Sequence, residues 1–148
     1  MPPALETSLG ALRLARWLGP WTSQRSLPPR IRRREIVAPG PRGPVTVWIY
    51  EAPRPPGRGL VVPGLHIQGP AAARQGRISR ALAASGLQVA VPFLPDYLAL
   101  RVTPEVAEDA SAAFDAVRRE PGPRRRVGVF SISFGCLPAL QLTARRAD

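Results

Sequence analysis

The 148-residue sequence predicts an α/β protein: a mostly parallel sheet with an N-terminal β-hairpin and flanking helices. Two observations predict this class. Short, continuously apolar segments alternate with longer helical segments, which is the pattern of strand–helix–strand units in a parallel sheet. The connecting segments hold most of the 19 prolines and 13 glycines, as tight loops require. The length and the hydrophobic content of 45% suit one domain with a substantial core.

Residues 1–30 are predicted to form an amphipathic helix followed by a linker. A helix docked on the domain surface is favoured over one lying in a membrane interface, although Trp17 and the nearby arginines would permit the latter. The sequence contains no apolar run of 18 or more residues, so no transmembrane helix is predicted. The apolar stripe of the helix consists of Leu5, Leu9, Leu12 and Leu18.

The segment from residue 31 to about residue 93 predicts a hairpin and two buried strands. Alternating Val45, Val47 and Ile49 form the second hairpin strand, and Ile36-Val37 lies in the first. The run "GLVVPG" from residue 59 and the run "LQVAVPF" from residue 87 are apolar throughout, as in strands covered on both faces. A helix from about residue 71 to residue 84 joins these two strands.

The next helix has the clearest boundary signals. Thr103 is the predicted N-cap, Pro104 the first helical residue and Glu105 an acid in the first turn. The segment "PGP" at residues 121–123 ends this helix. A third buried strand at residues 126–130 and a final helix at about residues 134–145 complete the series.

The net charge of +11 comes from 21 arginines and invites a nucleic-acid interpretation. Two arginine clusters, at residues 32–34 and 124–126, stand just before predicted strands, where solvated loops are expected. No aromatic residues alternate with these arginines as stacking platforms for bases would. No nucleic-acid partner is therefore predicted.

The single cysteine, Cys136, suits a reducing compartment, and a cytoplasmic location is expected.

The stretch "RRVGVFSISFGCLPAL" at residues 125–140 places Ser133 between a predicted strand and a predicted helix. A serine on such a turn projects from the sheet edge, and the helix N-terminus offers N–H groups to a developing oxyanion. The turn needs small residues two positions before and after the serine, and Ser131 and Gly135 stand there. Ser133 is accordingly either a nucleophile or an ordinary serine in a tight turn.

Over about residues 32–146 the chain resembles the α/β-hydrolase family. "VFSISFG" is similar to the family's nucleophile elbow, with Ser131 replacing the first glycine of G-x-S-x-G, and "VVPGLHIQGP" stands where the family carries its oxyanion loop. The resemblance implies cleavage of a small-molecule ester or related acyl bond through Ser133. It also implies an oxyanion hole formed by the N–H groups of Leu65 and Phe134. No metal-ligand cluster or dinucleotide fingerprint occurs, so no cofactor is predicted.

Three further residues near these motifs could carry chemistry. His66, the only histidine, lies on the oxyanion loop; an exposed loop residue or a possible substrate contact is favoured over a dyad with Ser133. Asp96 is expected to be a turn or cap residue rather than a catalytic acid. Cys136 is expected to be a small buried hydrophobic residue rather than a reactive thiol.

The family's triad follows the order serine, acid, histidine, and the sequence after Ser133 offers only Asp148 and no histidine. We therefore expect residues 31–148 to be the N-terminal half of an α/β-hydrolase-like domain whose C-terminal half is missing. Such a chain would be inactive or nearly so alone, and the strand at residues 126–130 would lie at an exposed sheet edge. The alternative is a non-catalytic remnant or binding module with a basic surface for an acidic partner.

Overall fold

The computed structural model of the chain describes residues 8–12, 14–15, 31–53, 55, 57–121 and 127–146. Residues 8–12 and 14–15 are helical. The strands are β1 (Arg32–Gly40), β2 (Gly43–Glu51), β3 (Gly57–Val62), β4 (Leu87–Pro92) and β5 (Val127–Ser131). The helices are α1 (Ala73–Ala84), α2 (Pro95–Leu98), α3 (Val106–Arg119) and α4 (Cys136–Ala144), with single 3₁₀ turns at Gly69–Ala71 and Ser133–Gly135.

The five strands form one sheet in the order β1-β2-β4-β3-β5. Strand β2 is antiparallel to both β1 and β4, whereas β3 is parallel to both β4 and β5. Four strands therefore run in one direction and β2 runs in the other. This confirms the predicted α/β class, with a mostly parallel sheet and an N-terminal hairpin. The carboxyl ends of β3, β4 and β5 meet at one edge, where open α/β sheets bind ligands.

The side chains of β2 divide the core into two layers because successive residues of a strand point to opposite faces. Val47 and Ile49 are buried in the cluster that includes residues of α3 and α4. Trp48 and Tyr50 belong to the second cluster, on the face covered by α1. Helices thus cover both faces of the sheet, as the continuous apolar runs in β3 and β4 predicted.

Strand β5 lies at the edge of the sheet, as expected. Gly128 and Phe130 are exposed and the other three residues of β5 are half-buried, so the prediction of a third buried strand is wrong. Phe130 is 49% exposed. Phe134, in the 3₁₀ turn before α4, and Leu137 and Leu140, in α4, are exposed as well.

The sequence predicts a side-chain cap for α3 and an apolar stripe in the N-terminal segment. Helix α3 begins at Val106, and no side chain caps it, so the predicted cap at Thr103 is wrong. The Thr103 hydroxyl donates instead to the Asp96 carboxylate at 2.6 Å. In the N-terminal segment, Leu9 and Leu12 are 37% and 68% exposed, and the other two leucines of the predicted stripe lie outside the described residues.

An ion-pair network of one exposed arginine and two buried carboxylates fixes the short helix α2 to the hairpin and to α3. Arg42, in the turn between β1 and β2, binds Asp96 of α2 at 2.8 Å and Asp109 of α3 at 2.7 Å. Both carboxylates are almost fully buried, with side chains 3% and 2% exposed. Asp96 also accepts hydrogen bonds from Thr103 and Arg101. The Thr103 hydroxyl, with Arg42 next, lowers the pKa of the Asp96 carboxyl below its ordinary value, against the opposing effect of burial.

This lowered pKa makes stability depend on pH. Because the folded-state pKa of Asp96 lies below its unfolded value of about 3.9, ionised Asp96 stabilises the fold above that pH, and the contribution is lost as the pH falls. We expect Asp96→Asn to cost about 3 kcal/mol near neutral pH and to reduce the loss of stability between about pH 5 and pH 2. Urea unfolding at several pH values measures both effects.

Asp115→Asn is the matched control, since Asp115 pairs with Arg146 at 2.8 Å but is 35% exposed. It should change both quantities much less, because exposed ion pairs contribute little. Equal pH profiles for the wild type and Asp96→Asn would show that the network does not carry the acid sensitivity.

Candidate active site

Ser133 lies on the turn that connects the edge strand β5 to helix α4. Ile132 is still extended, with φ −133° and ψ 129°, and a single 3₁₀ turn then leads into the helix. Ser133 has a φ of 54°, in the left-handed region that non-glycine residues rarely occupy. Its side chain is exposed. The structure therefore confirms the predicted strand–turn–helix context, and it adds a backbone strain of about 1–3 kcal/mol at the serine itself.

Gly135, two residues after the serine, touches the end of β3 so closely that no side chain fits. A Cβ atom there would overlap the carbonyl oxygen of Val62 and would lie 2.6 Å from that of Pro63. On the other side of the serine, the Ser131 hydroxyl donates to Cys136 Sγ at 3.3 Å. Cys136 is exposed, so the prediction that it is a buried hydrophobic residue is wrong.

The loop after β3 runs directly beside Ser133. The Ile132 N–H donates to the Val62 carbonyl at 3.2 Å, which joins the elbow to the end of β3. A Cβ added to Gly64 would lie 3.1 Å from both the Ser133 Cβ and the Ile132 carbonyl oxygen. The two segments singled out in the sequence, the serine turn and the loop that carries Leu65, therefore meet at the carboxyl edge of the sheet.

Leu65 and Phe134, the predicted oxyanion-hole residues, flank this meeting point. Leu65 is half-buried against the main core, and the Phe134 side chain is 54% exposed. Within the described ranges, neither N–H is among the loop and turn donors that have a backbone acceptor.

His66 is an exposed residue of the turn that follows Leu65. Its Nδ1 accepts a hydrogen bond from the Gln68 N–H at 3.0 Å, and its carbonyl accepts one from Gly69 at 2.9 Å. In the part of the chain that the structure describes, no hydrogen bond connects His66 with Ser133. A neutral imidazole whose Nδ1 accepts carries its proton on Nε2. In that tautomer, Nε2 already carries a proton and cannot accept one from a serine hydroxyl.

The sequence reasoning missed Tyr97. This tyrosine is 2% exposed, and its hydroxyl donates to the Phe134 carbonyl at 2.6 Å. Burial raises the pKa of the Tyr97 hydroxyl above its ordinary value, which keeps it protonated as a donor. A signal for its helix was present, because Pro95 and Asp96 place proline at the first helical position and an acid in the first turn. Asp96 is in this turn, as expected, and its oxygens are occupied by the ion-pair network.

Neither a protein-family model nor a curated protein matches the chain. Several solved structures do resemble it. A dienelactone hydrolase from Anabaena variabilis is 17% identical, with a TM-score of 0.69 over 80% of this chain and 59% of that one. Brefeldin A esterase, a bacterial homologue of human hormone-sensitive lipase, is 20% identical, with a TM-score of 0.67 over 98% and 45%. A hyperthermophilic esterase from Pyrobaculum calidifontis is 18% identical, with a TM-score of 0.63 over 99% and 55%.

These likenesses show that the chain has the α/β-hydrolase fold. The chain spans about half the length of the solved structures that it matches, between 45% and 59% in these three. Among the described residues, no helix has the length and apolarity needed to span a membrane. The same residues contain no group of three or more His, Cys, Asp and Glu side chains that could hold a metal ion.

The tight contact at Gly135 leads to a stability prediction. Gly135→Ala forces an atom into the backbone of β3, so we expect a loss of about 3 kcal/mol, the upper end of overpacking costs. Gly128→Ala is the control on β5, because a Cβ there has its nearest neighbour at 3.8 Å, the Arg58 carbonyl. Thermal or urea unfolding should show little change for Gly128→Ala. Equal stabilities for the two variants would mean that the turn moves away from β3 at low cost.

The positive φ of Ser133 leads to a prediction of the opposite sign, a gain of stability on substitution by glycine. Ser133→Gly removes the strain and should raise the free energy of unfolding by about 1 kcal/mol, since glycine's extra entropy in the unfolded chain cancels part of the gain. Leu100→Gly is the matched control, because Leu100 has a φ of 56° in an exposed loop. A similar gain is expected there. Destabilisation by Ser133→Gly alone would show that contacts of the serine side chain outweigh its backbone strain.

Proposed function

We propose that the chain carries the nucleophile and the oxyanion hole of a serine hydrolase that cleaves esters or related acyl bonds. One observation supports this most directly: Ser133 is exposed and has a φ of 54° between β5 and α4, beside a loop glycine that leaves its side chain room. A strained, exposed serine at the carboxyl edge of the sheet is typical of a nucleophile elbow. An ordinary turn would more easily use glycine or asparagine at that φ.

In the proposed reaction, Ser133 Oγ attacks the carbonyl carbon of the substrate while its proton passes to a base. The carbonyl oxygen takes up the negative charge and is stabilised by the N–H groups of Leu65 and Phe134 and by the positive end of α4. Collapse of this tetrahedral intermediate breaks the bond to the leaving alcohol, which takes the proton from the base. Water then attacks the acyl-enzyme by the same route, releases the acid and restores Ser133.

The base and the acid of the triad are assigned to residues outside this sequence. His66 is the only histidine in the chain, and its Nδ1 accepts the Gln68 N–H, which leaves Nε2 protonated and without the lone pair that a general base needs. Asp96 is engaged by Arg42, Thr103 and Arg101. We therefore expect the 148-residue chain to have little or no activity alone, and His66 to act, if anywhere, as a substrate contact.

Small-molecule esters are the proposed substrates. The solved structures of similar fold are named for an esterase of brefeldin A, a dienelactone hydrolase and a thermophilic esterase, and all three names refer to ester or lactone bonds. The serine chemistry proposed here suits this class, because an ester has a carbonyl carbon open to attack and an alkoxide leaving group. A cytoplasmic location is proposed from the single cysteine.

Fluorophosphonate labelling of the full-length gene product, read by intact mass, tests the proposal. We expect the wild type and Ser131→Ala to be labelled and Ser133→Ala to remain unlabelled, because the probe reacts with an activated serine. Ser131 is the matched control, a serine two residues away. The 148-residue chain by itself should remain unlabelled.

Two results would contradict the proposal in different ways. Labelling of Ser133→Ala would remove Ser133 as the nucleophile. Ester turnover by the 148-residue chain, abolished in His66→Ala, would instead show that His66 is the base and that the assignment of the base to other residues is wrong.

A further inference from the structure

Tyr97 contacts the elbow, and the mechanism proposed above gives it no role. It belongs to α2, a helix of only four residues that follows β4, and it is 37 residues from Phe134 in sequence. Its hydroxyl nevertheless donates to the carbonyl of Phe134, the residue directly after the nucleophile, at 2.6 Å. A buried tyrosine hydroxyl needs such a partner, but this partner is at the site of the proposed chemistry.

The bond from Tyr97 fixes one end of a single peptide group whose other end is also held. The Phe134 carbonyl accepts from Tyr97, and the Gly135 N–H of the same peptide donates to the Ile132 carbonyl at 2.9 Å. Because a peptide group is planar, two bonds at its opposite ends fix its orientation. With that peptide group fixed, the φ and ψ angles of Phe134 determine where its own N–H points.

Tyr97 is itself held in a rigid frame. Its ring is part of the main core cluster, together with Leu94 and Val106. The residue before it, Asp96, is bound by Arg42 and Thr103. The Tyr97 hydroxyl therefore connects the core to the turn at the sheet edge, whose backbone is strained at Ser133.

We propose that Tyr97 is a positioning residue, which holds the Ser133–Phe134 turn in its strained conformation and thereby directs the Phe134 N–H at the oxyanion. The importance of this N–H for catalysis rests on the proposed function. The restraint on the turn does not, and it can be tested in the 148-residue chain without any turnover.

The first test compares NMR spectra of the wild-type chain, Tyr97→Phe and Tyr50→Phe. Tyr50 is the only other tyrosine, is also buried and lies on the opposite face of the sheet. Wild type and Tyr50→Phe should show the strong intraresidue HN–Hα NOE of a positive φ at Ser133 and the same Phe134 amide signal. Tyr97→Phe should weaken that NOE and shift or broaden the Phe134 amide. Unchanged Ser133 and Phe134 signals in a folded Tyr97→Phe chain would overturn the proposal.

A signal of the wild-type chain provides a check that needs no variant. A buried donor should give a slowly exchanging Tyr97 hydroxyl proton with an NOE to Phe134 or Gly135. Absence of that signal would contradict the proposal even if Tyr97→Phe did not fold.

The second test uses the active full-length protein, without the fluorophosphonate probe. Removing an oxyanion donor lowers kcat by about 10²–10³, so displacing one should lower it by about tenfold. Tyr97→Phe should therefore lower kcat with KM nearly unchanged, whereas Tyr50→Phe should leave both values as they are. A wild-type kcat in Tyr97→Phe would reduce Tyr97 to a structural residue. Failure of the nucleophile assignment would be seen separately, as labelling of Ser133→Ala, and the NMR comparison would still decide whether Tyr97 holds the turn.

Discussion

The close approach of Gly135 to the end of β3 is the constraint on which the site depends. The backbone of the 3₁₀ turn touches the carbonyls of Val62 and Pro63, so helix α4 must start at the sheet edge rather than above it. Within this short turn Ser133 has a positive φ of 54°. The same approach brings the loop after β3 beside the serine. The absence of a side chain at Gly135 therefore determines both the position of the Ser133 hydroxyl and the approach of the loop that carries Leu65.

Strain at one residue persists only when its surroundings determine the conformation from several sides. Here the restraints come from segments far apart in sequence. The end of β3 binds Ile132, Tyr97 binds Phe134, and α4 continues from the turn into the main core through Leu142. Each bond contributes only about 1 kcal/mol, but together they match the cost of the strain. The short helix α2 is thus a structural support of the elbow, although it has only one turn.

Much of this arrangement could be predicted from the sequence, because it follows from local patterns. The apolar runs of β3 and β4, the alternation of β2 and the spacing of small residues around Ser133 each act over fewer than ten residues. The rest depends on contacts between distant residues. Thr103 has all the features of an N-cap, but its hydroxyl binds Asp96, a carboxylate that Arg42 of the distant hairpin also binds. Tyr97 was missed for the same reason, since nothing near it in sequence indicates that Phe134 is its partner.

The proposed mechanism separates two kinds of catalytic contribution. In that proposal, an oxyanion would be stabilised by backbone N–H groups and a helix end, which belong to the backbone of the turn and the loop rather than to particular side chains. Proton transfer needs a side chain with a free lone pair, held by a third group. The only imidazole of the chain has its Nδ1 engaged by its own loop, so its place in the loop after β3 does not make it a base. For a histidine on this loop, the hydrogen bond at Nδ1 determines which ring nitrogen keeps a free lone pair, and position in the sequence does not.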